Sequence, residues 1–171
     1  MDILDLNEMD EITGKIWLGN KIASTHYNIL KKNGIKKIIS LLDFPLEYNK
    51  EEESDFIRKV IIILDYPSKN IIKYFGECLN FMEGEEKTLV HCTLGVSRSA
   101  TIVIAYIMWK QKMKYENAFN YVKEKRKRIS PNFGFKKQLQ IFESLLIKNN
   151  YDLSKINFNN LEKFESSDFE W

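Results

Sequence analysis

The sequence predicts an α/β fold with a central, parallel-rich mixed sheet flanked by helices. Three observations carry this. Runs of β-branched and aliphatic residues, "KIWLG", "IKKIISLLD" and "VIIIL", have the composition of buried strands. Other segments place apolar residues at helical spacing. The two kinds alternate along the chain, the pattern of parallel strands joined by crossover helices.

Taken in order, residues 15–19 read as a short strand ended by Gly19, and "KIASTHYNILKKNGI" as a short helix closed by Asn33-Gly34. Residues 35–43 form a strand candidate, followed by a loop built on Pro45 and the acidic "EYNKEEESD". Residues 58–67 read as a further buried strand, stopped by Asp65 and Pro67. In "NIIKYFGECLNFMEG" a helical period links Ile71, Ile72, Phe75, Leu79 and Met82. A strand at 87–92 and three helices at 97–111, 115–127 and 132–149 complete one domain, placed at residues 8–149. Residues 150–171 are polar with scattered aromatics and read as a C-terminal tail of unknown role, docked or mobile.

Composition excludes several functions. The chain is 171 residues long and 44% hydrophobic, enough for a real core. Its net charge of +2, with both signs interspersed, argues against a nucleic-acid binder. The run "KEKRKR" at 123–128 reads as a solvated helix face, with a docking patch for an anionic substrate as the alternative. Two cysteines make no disulfide framework, and Cys78 is expected to be a buried structural thiol. His26 and His91, on different elements, make no metal site, and no cofactor is expected. The acidic start lacks a signal-peptide pattern, and the longest apolar run, "SATIVIAYIMW", is too short to cross a bilayer. A monomer free of the membrane is expected, in the cytoplasm, with the nucleus as a second compartment.

The chemistry concentrates in "LVHCTLGVSRSAT", residues 89–101. In parallel sheets ligands bind beyond the carboxyl ends of the strands, where Asp65 and Cys92 both fall. Thr93, Leu94, Gly95, Val96, Ser97 and Arg98 join a buried strand to a helix. Amides in such a turn have no intrahelical partner and sit at the positive end of the helix dipole. That suits a phosphate. Gly95 lets the loop curl, and the Arg98 fork can pair two phosphate oxygens. The same environment favours the thiolate of Cys92, poised for in-line attack at phosphorus. Asp65 can protonate the leaving oxygen and then activate water. Ser99 can hydrogen-bond the departing thiolate, and His91 can tie the loop through its ring. Each residue alone has an ordinary structural reading. Together they form H-C-x-x-G-x-x-R-S at a strand–helix junction, a specific signature.

"VHCTLGVSRSAT" resembles the signature loop of the cysteine-dependent phosphatases, most closely the dual-specificity protein phosphatases. The resemblance spans about residues 12–146 and includes "GKIWLGNKIAS", "GIKKIISL", "ILDYPSKNIIKYFGECLNFM" and "ISPNFGFKKQLQIFE". It implies a protein tyrosine phosphatase-like fold and a small, atypical member of the family. By resemblance, Cys92 is the nucleophile, Arg98 the phosphate clamp, Asp65 the general acid and Ser99 the aid to thiolate release. Asn132 in "SPNFGF" matches an asparagine that braces the phosphate loop; an N-cap for the last helix is its alternative role. The loop's variable positions are uncharged, which favours a phosphoprotein carrying phosphotyrosine, phosphoserine or phosphothreonine. A phosphoinositide, an RNA 5′ end and a phosphate-binding adaptor role are the alternatives.

Overall fold

The computed structural model describes residues 8–161. Five strands form one sheet: β1 (Met9–Glu11), β2 (Ile16–Gly19), β3 (Ile35–Leu42), β4 (Ile57–Ile62) and β5 (Lys87–His91). Their spatial order is β1-β2-β5-β3-β4. The pairings β2–β5, β5–β3 and β3–β4 are parallel, and β1 adds an antiparallel edge to β2. The mixed, parallel-rich sheet is therefore the one the sequence predicts.

The helices are α1 (Tyr27–Lys32), α2 (Lys50–Glu53), α3 (Phe75–Met82), α4 (Arg98–Lys110), α5 (Tyr115–Lys125) and α6 (Phe133–Lys148). One face of the sheet carries the larger core, in which Leu18, Ile39 and Val90 meet Phe75, Val103 and Phe142. The other face carries a smaller cluster with Tyr27, Leu30, Ile38, Phe56 and Leu89. Helix α4 is buried at every residue from Arg98 to Met108. Apolar side chains around its whole circumference suit a helix packed between the sheet and its neighbours.

Several boundaries differ from the expected ones. The helix read at 21–35 is a 3-10 turn at Ala23–Thr25 followed by the single-sided α1. Strand β4 stops at Ile62, so Leu64 and Asp65 leave the sheet before the proline. Strand β1 and helix α2 lie where no regular element was expected. The latter starts on Asn49, whose side chain accepts from the Glu51 and Glu52 amides. As the outer strand, β4 leaves Ile57, Val60 and Ile62 exposed. Cys78 is fully buried, and burial pushes its thiol up to about 12. Phe135 is buried in the core, and Phe133 is half-buried. No helix among the described residues is long and apolar enough to cross a membrane.

Residues 151–161 pack on the body of the domain. Trp109 Nε1 donates to the Tyr151 carbonyl at 3.0 Å, and Asn70 Nδ2 to the Leu161 carbonyl at 2.9 Å. Leu153 and Ile156 are buried, and Phe158 stacks at a tilt on Phe142 with centroids 6.2 Å apart. The remainder of the tail lies outside the described residues. Truncating a buried aliphatic side chain costs its transfer energy plus that of the void. Ile156→Ala should therefore lower the unfolding free energy by about 2 kcal/mol in urea titrations. An unchanged midpoint would mean that this segment lies outside the cooperative unit.

Candidate active site

The site forms beyond the carboxyl ends of β3, β4 and β5. Strand β5 ends at His91, and α4 begins at Arg98; residues 92–97 make the loop between them. Cys92 lies at its base, 2% exposed, with Ser99 Oγ 3.1 Å from its Sγ. Gly95 adopts φ +67°, and a Cβ there would stand 2.5 Å from the Gly19 carbonyl oxygen. Only glycine lets the loop turn this tightly against β2.

The loop's carbonyls are all engaged on its outer side. Thr93 O accepts from Lys21 N (3.1 Å), and Val96 O from Ser130 N (2.8 Å). Leu94 O accepts from Arg126 Nη2 (3.4 Å) and Arg128 Nη2 (3.3 Å), and Gly95 O from Arg126 Nε (2.9 Å). In a planar trans peptide the C=O and the following N–H point opposite ways. Four carbonyls held outward turn the amides of Leu94, Gly95, Val96 and Ser97 inward, toward Cys92. Successive inward amides form a concavity suited to an oxyanion.

Arg98 runs beside this concavity, 5% exposed. Its Nη1 donates to Asp43 Oδ1 and to Ile63 O (2.9 Å), and its Nη2 to Thr93 Oγ1 (3.0 Å). Its Nε is buried without a hydrogen-bond partner. Asp65 reaches back from beyond β4 to the loop. Its Oδ1 accepts from Ser97 Oγ at 2.6 Å and from Asn132 Nδ2 at 2.8 Å. Asn132 Oδ1 caps α6 by accepting from Phe135 N (2.9 Å), and its backbone N donates to Ser97 Oγ (3.0 Å). Gly134, in the first turn of α6, lets that turn approach Pro67 so closely that a Cβ would meet the Pro67 carbonyl oxygen at 2.1 Å.

Every residue that the sequence nominated is thus in or against this loop. The Leu94 side chain is exposed, at 66%, and Thr93 and Asp65 are exposed as well. Ser97, expected in the phosphate-binding turn, is also a junction between the loop, Asp65 and α6. The basic run needs correcting. Arg126 is not on a solvated face but buried, 2% exposed, with Nη1 on Asp10 Oδ2 at 2.6 Å. One signal in the sequence leads to it: the buried face of α5, at Tyr115, Ala118 and Val122, continues at i+4 to position 126.

Beneath the loop lies a polar chain that the sequence did not reveal. Ser40 stands opposite His91 in the β3–β5 register. His91 Nδ1 lies 3.1 Å from the Cys92 carbonyl, and Nε2 2.6 Å from Ser40 Oγ. A carbonyl only accepts, so Nδ1 carries the proton, and Nε2 accepts from the serine. Arg58 donates to Ser40 Oγ (2.8 Å) and pairs with Glu53 of α2. Burial pushes the His91 imidazole down to about 3, and the Arg58 and Arg98 charges add to this. The sign follows. The unfolded chain takes the proton near pH 6.5 and the folded one does not, so His91 favours folding above that range and loses its contribution as pH falls toward 3. Between pH 7 and 5 this should cost about 2 kcal/mol. His91→Asn should flatten that part of the stability profile; parallel profiles for the two proteins would refute the buried neutral histidine.

Residues 16–144 match the family model of the dual specificity phosphatase catalytic domain. The dual specificity protein phosphatase MPK-4 of Drosophila melanogaster is 36% identical over 141 residues, covering 80% of this chain and 36% of that protein. Dual specificity protein phosphatase 1 of Arabidopsis thaliana is 36% identical over 132 residues, covering 75% of this chain and 65% of that protein. This chain therefore spans about a third of the first relative's length and just under two thirds of the second's. Among solved structures, the human tyrosine phosphatase-like serine/threonine/tyrosine-interacting protein superposes with a TM-score of 0.75 at 38% identity, over 81% of this chain and 97% of that one. With the family's domain matched across most of its length, this chain belongs to the dual specificity phosphatase family.

Proposed function

We propose that this chain is a protein phosphatase that cleaves phosphotyrosine and phosphoserine or phosphothreonine esters through a phosphocysteine on Cys92. The observation that carries the proposal is the loop of inward amides closing over Cys92, with Arg98 alongside. Three equatorial oxygens of a phosphoryl group match those amides, and the Nε–Nη2 edge of Arg98 supplies a planar fork to two of them. The buried, unpartnered Nε fits that use.

The steps follow from placement. The Cys92 thiolate attacks phosphorus in line with the ester oxygen, forming the S–P bond as the P–O bond breaks. Asp65 Oδ1 is engaged by Ser97 and Asn132, which leaves Oδ2 to carry the proton to the leaving oxygen. The same carboxylate then takes a proton from water, which attacks phosphorus and releases the thiolate. Ser99 Oγ, at 3.1 Å, donates to the sulfur as it regains charge. His91, held neutral, fixes the Cys92 carbonyl and takes no part in proton transfer.

The uncharged side chains at 93–97 favour a single phosphate on a polypeptide over a headgroup bearing several. The adaptor reading keeps one point in its favour, since a similar protein bears the name tyrosine phosphatase-like serine/threonine/tyrosine-interacting protein. The thiol, guanidinium and carboxylate of this chain speak for turnover.

Cys92→Ser should abolish turnover of a phosphopeptide yet keep micromolar-to-millimolar binding of it, because the amides and Arg98 remain; calorimetry and initial rates together check this. A variant that loses binding as well would make the thiol structural. General-acid assistance is worth roughly 10²–10⁴-fold. Asp65→Asn should lose about that much on alkyl phosphates and far less on an aryl phosphate with a good leaving group. An equal fractional loss in kcat/KM across a leaving-group series would remove Asp65 from the role.

A further inference from the structure

We propose that Arg126, held by Asp10, is a positioning residue for phosphoryl transfer, setting the direction of two of the amides that bind the phosphate. Its Nε and Nη2 hold the carbonyls of Gly95 and Leu94. Through planar trans peptides, those two carbonyls fix where the Val96 and Gly95 N–H groups point. The neighbouring planes are held by backbone amides, Lys21 N on Thr93 O and Ser130 N on Val96 O. At the centre of the loop, where glycine allows the widest range of conformations, the carbonyls of Leu94 and Gly95 are held by arginine side chains. Arg128 also reaches Leu94 O, but from a partly exposed position.

Asp10 gives the guanidinium its orientation. It sits on β1, paired opposite Leu18, and its carboxylate faces Arg126 at 2.6 Å with both side chains largely buried. A planar guanidinium spans a carboxylate on one side and two carbonyls on another; an ammonium cannot. The edge strand thus reaches the phosphate loop through the Asp10–Arg126 ion pair. Strand β1 lies before residue 16, where the family match begins, so this contact joins a segment outside the matched domain to the loop.

The test separates positioning from mere stability. Arg126→Lys, Asp10→Ala and Asp10→Asn are compared with wild type for kcat and KM on an aryl phosphate and for inhibition by inorganic phosphate and by vanadate. A purely structural role lowers the active fraction, so kcat falls while the inhibition constants stay put. Misdirected amides weaken anion binding itself, most for the trigonal-bipyramidal vanadate, which resembles the transition state. We expect at least a tenfold weaker vanadate inhibition in Arg126→Lys and Asp10→Ala, a smaller change for phosphate, and partial recovery in Asp10→Asn, which still accepts a hydrogen bond. Vanadate and phosphate constants within twofold of wild type in folded Asp10→Ala overturn the proposal, and that variant decides if Arg126→Lys does not fold. The proposal rests on the phosphate-binding reading of the loop. Wild type that binds neither anion refutes that reading, whereas binding that survives in the variants refutes only the role of Arg126.

Discussion

Everything around Cys92 depends on where the carbonyl oxygens of a six-residue loop go. A buried carbonyl must be satisfied, and in this loop each one from Thr93 to Val96 is satisfied on the outside. The inward set of donors is the other half of the same peptide planes. Binding capacity therefore comes from a constraint of covalent geometry, enforced by groups on β1, on the segment after β2, and on the turn between α5 and α6. Replacing a loop side chain alters the rim, but replacing an outer partner alters the concavity itself.

The sheet supplies the second half of the frame. Its central strand β5 delivers Cys92, and the in-register Ser40–His91 contact fixes the carbonyl at the loop's first residue. Arg58 closes that chain by joining Ser40 to Glu53 on the short helix α2. An acidic surface turn is thus connected, through three buried polar groups, to the base of the loop. Partly broken, such a network costs more than an apolar core, because each member is buried with the rest.

Much of this was legible in the sequence. The parallel strands announce themselves as aliphatic runs, and α3 by its 3.6-residue period. Helix α4 is apolar on all sides, so its place after the signature loop identified it better than periodicity. The signature itself is legible because its residue types are chemically particular and their spacing is fixed. What escaped detection carries no such pattern. Strand β1 is Met-Asp-Glu, set by pairing with β2 and not by its own composition. Helix α2 is Lys-Glu-Glu-Glu, without an apolar face, and exists through its Asn49 cap. Arg126 has the same charge as its neighbours; only the continuation of a buried helical face distinguishes it. Ser40 and Asp43 become neighbours of His91 and Arg98 through sheet order, which a linear reading does not supply.

The segment bearing Asp65 is already fastened in this structure. Its carboxylate rests on Ser97 and Asn132, and two residues later Pro67 lies against the glycine of α6 with no room for a Cβ. Phosphatase chemistry that needs a distant acid brought in by a closing flap must order that flap in every catalytic cycle, at an entropic cost of about 1–2 kcal/mol for each residue fixed. Here that ordering is incurred once, when the chain folds. If Asp65 is the acid, as proposed above, the chemical step waits on no closure of its own segment.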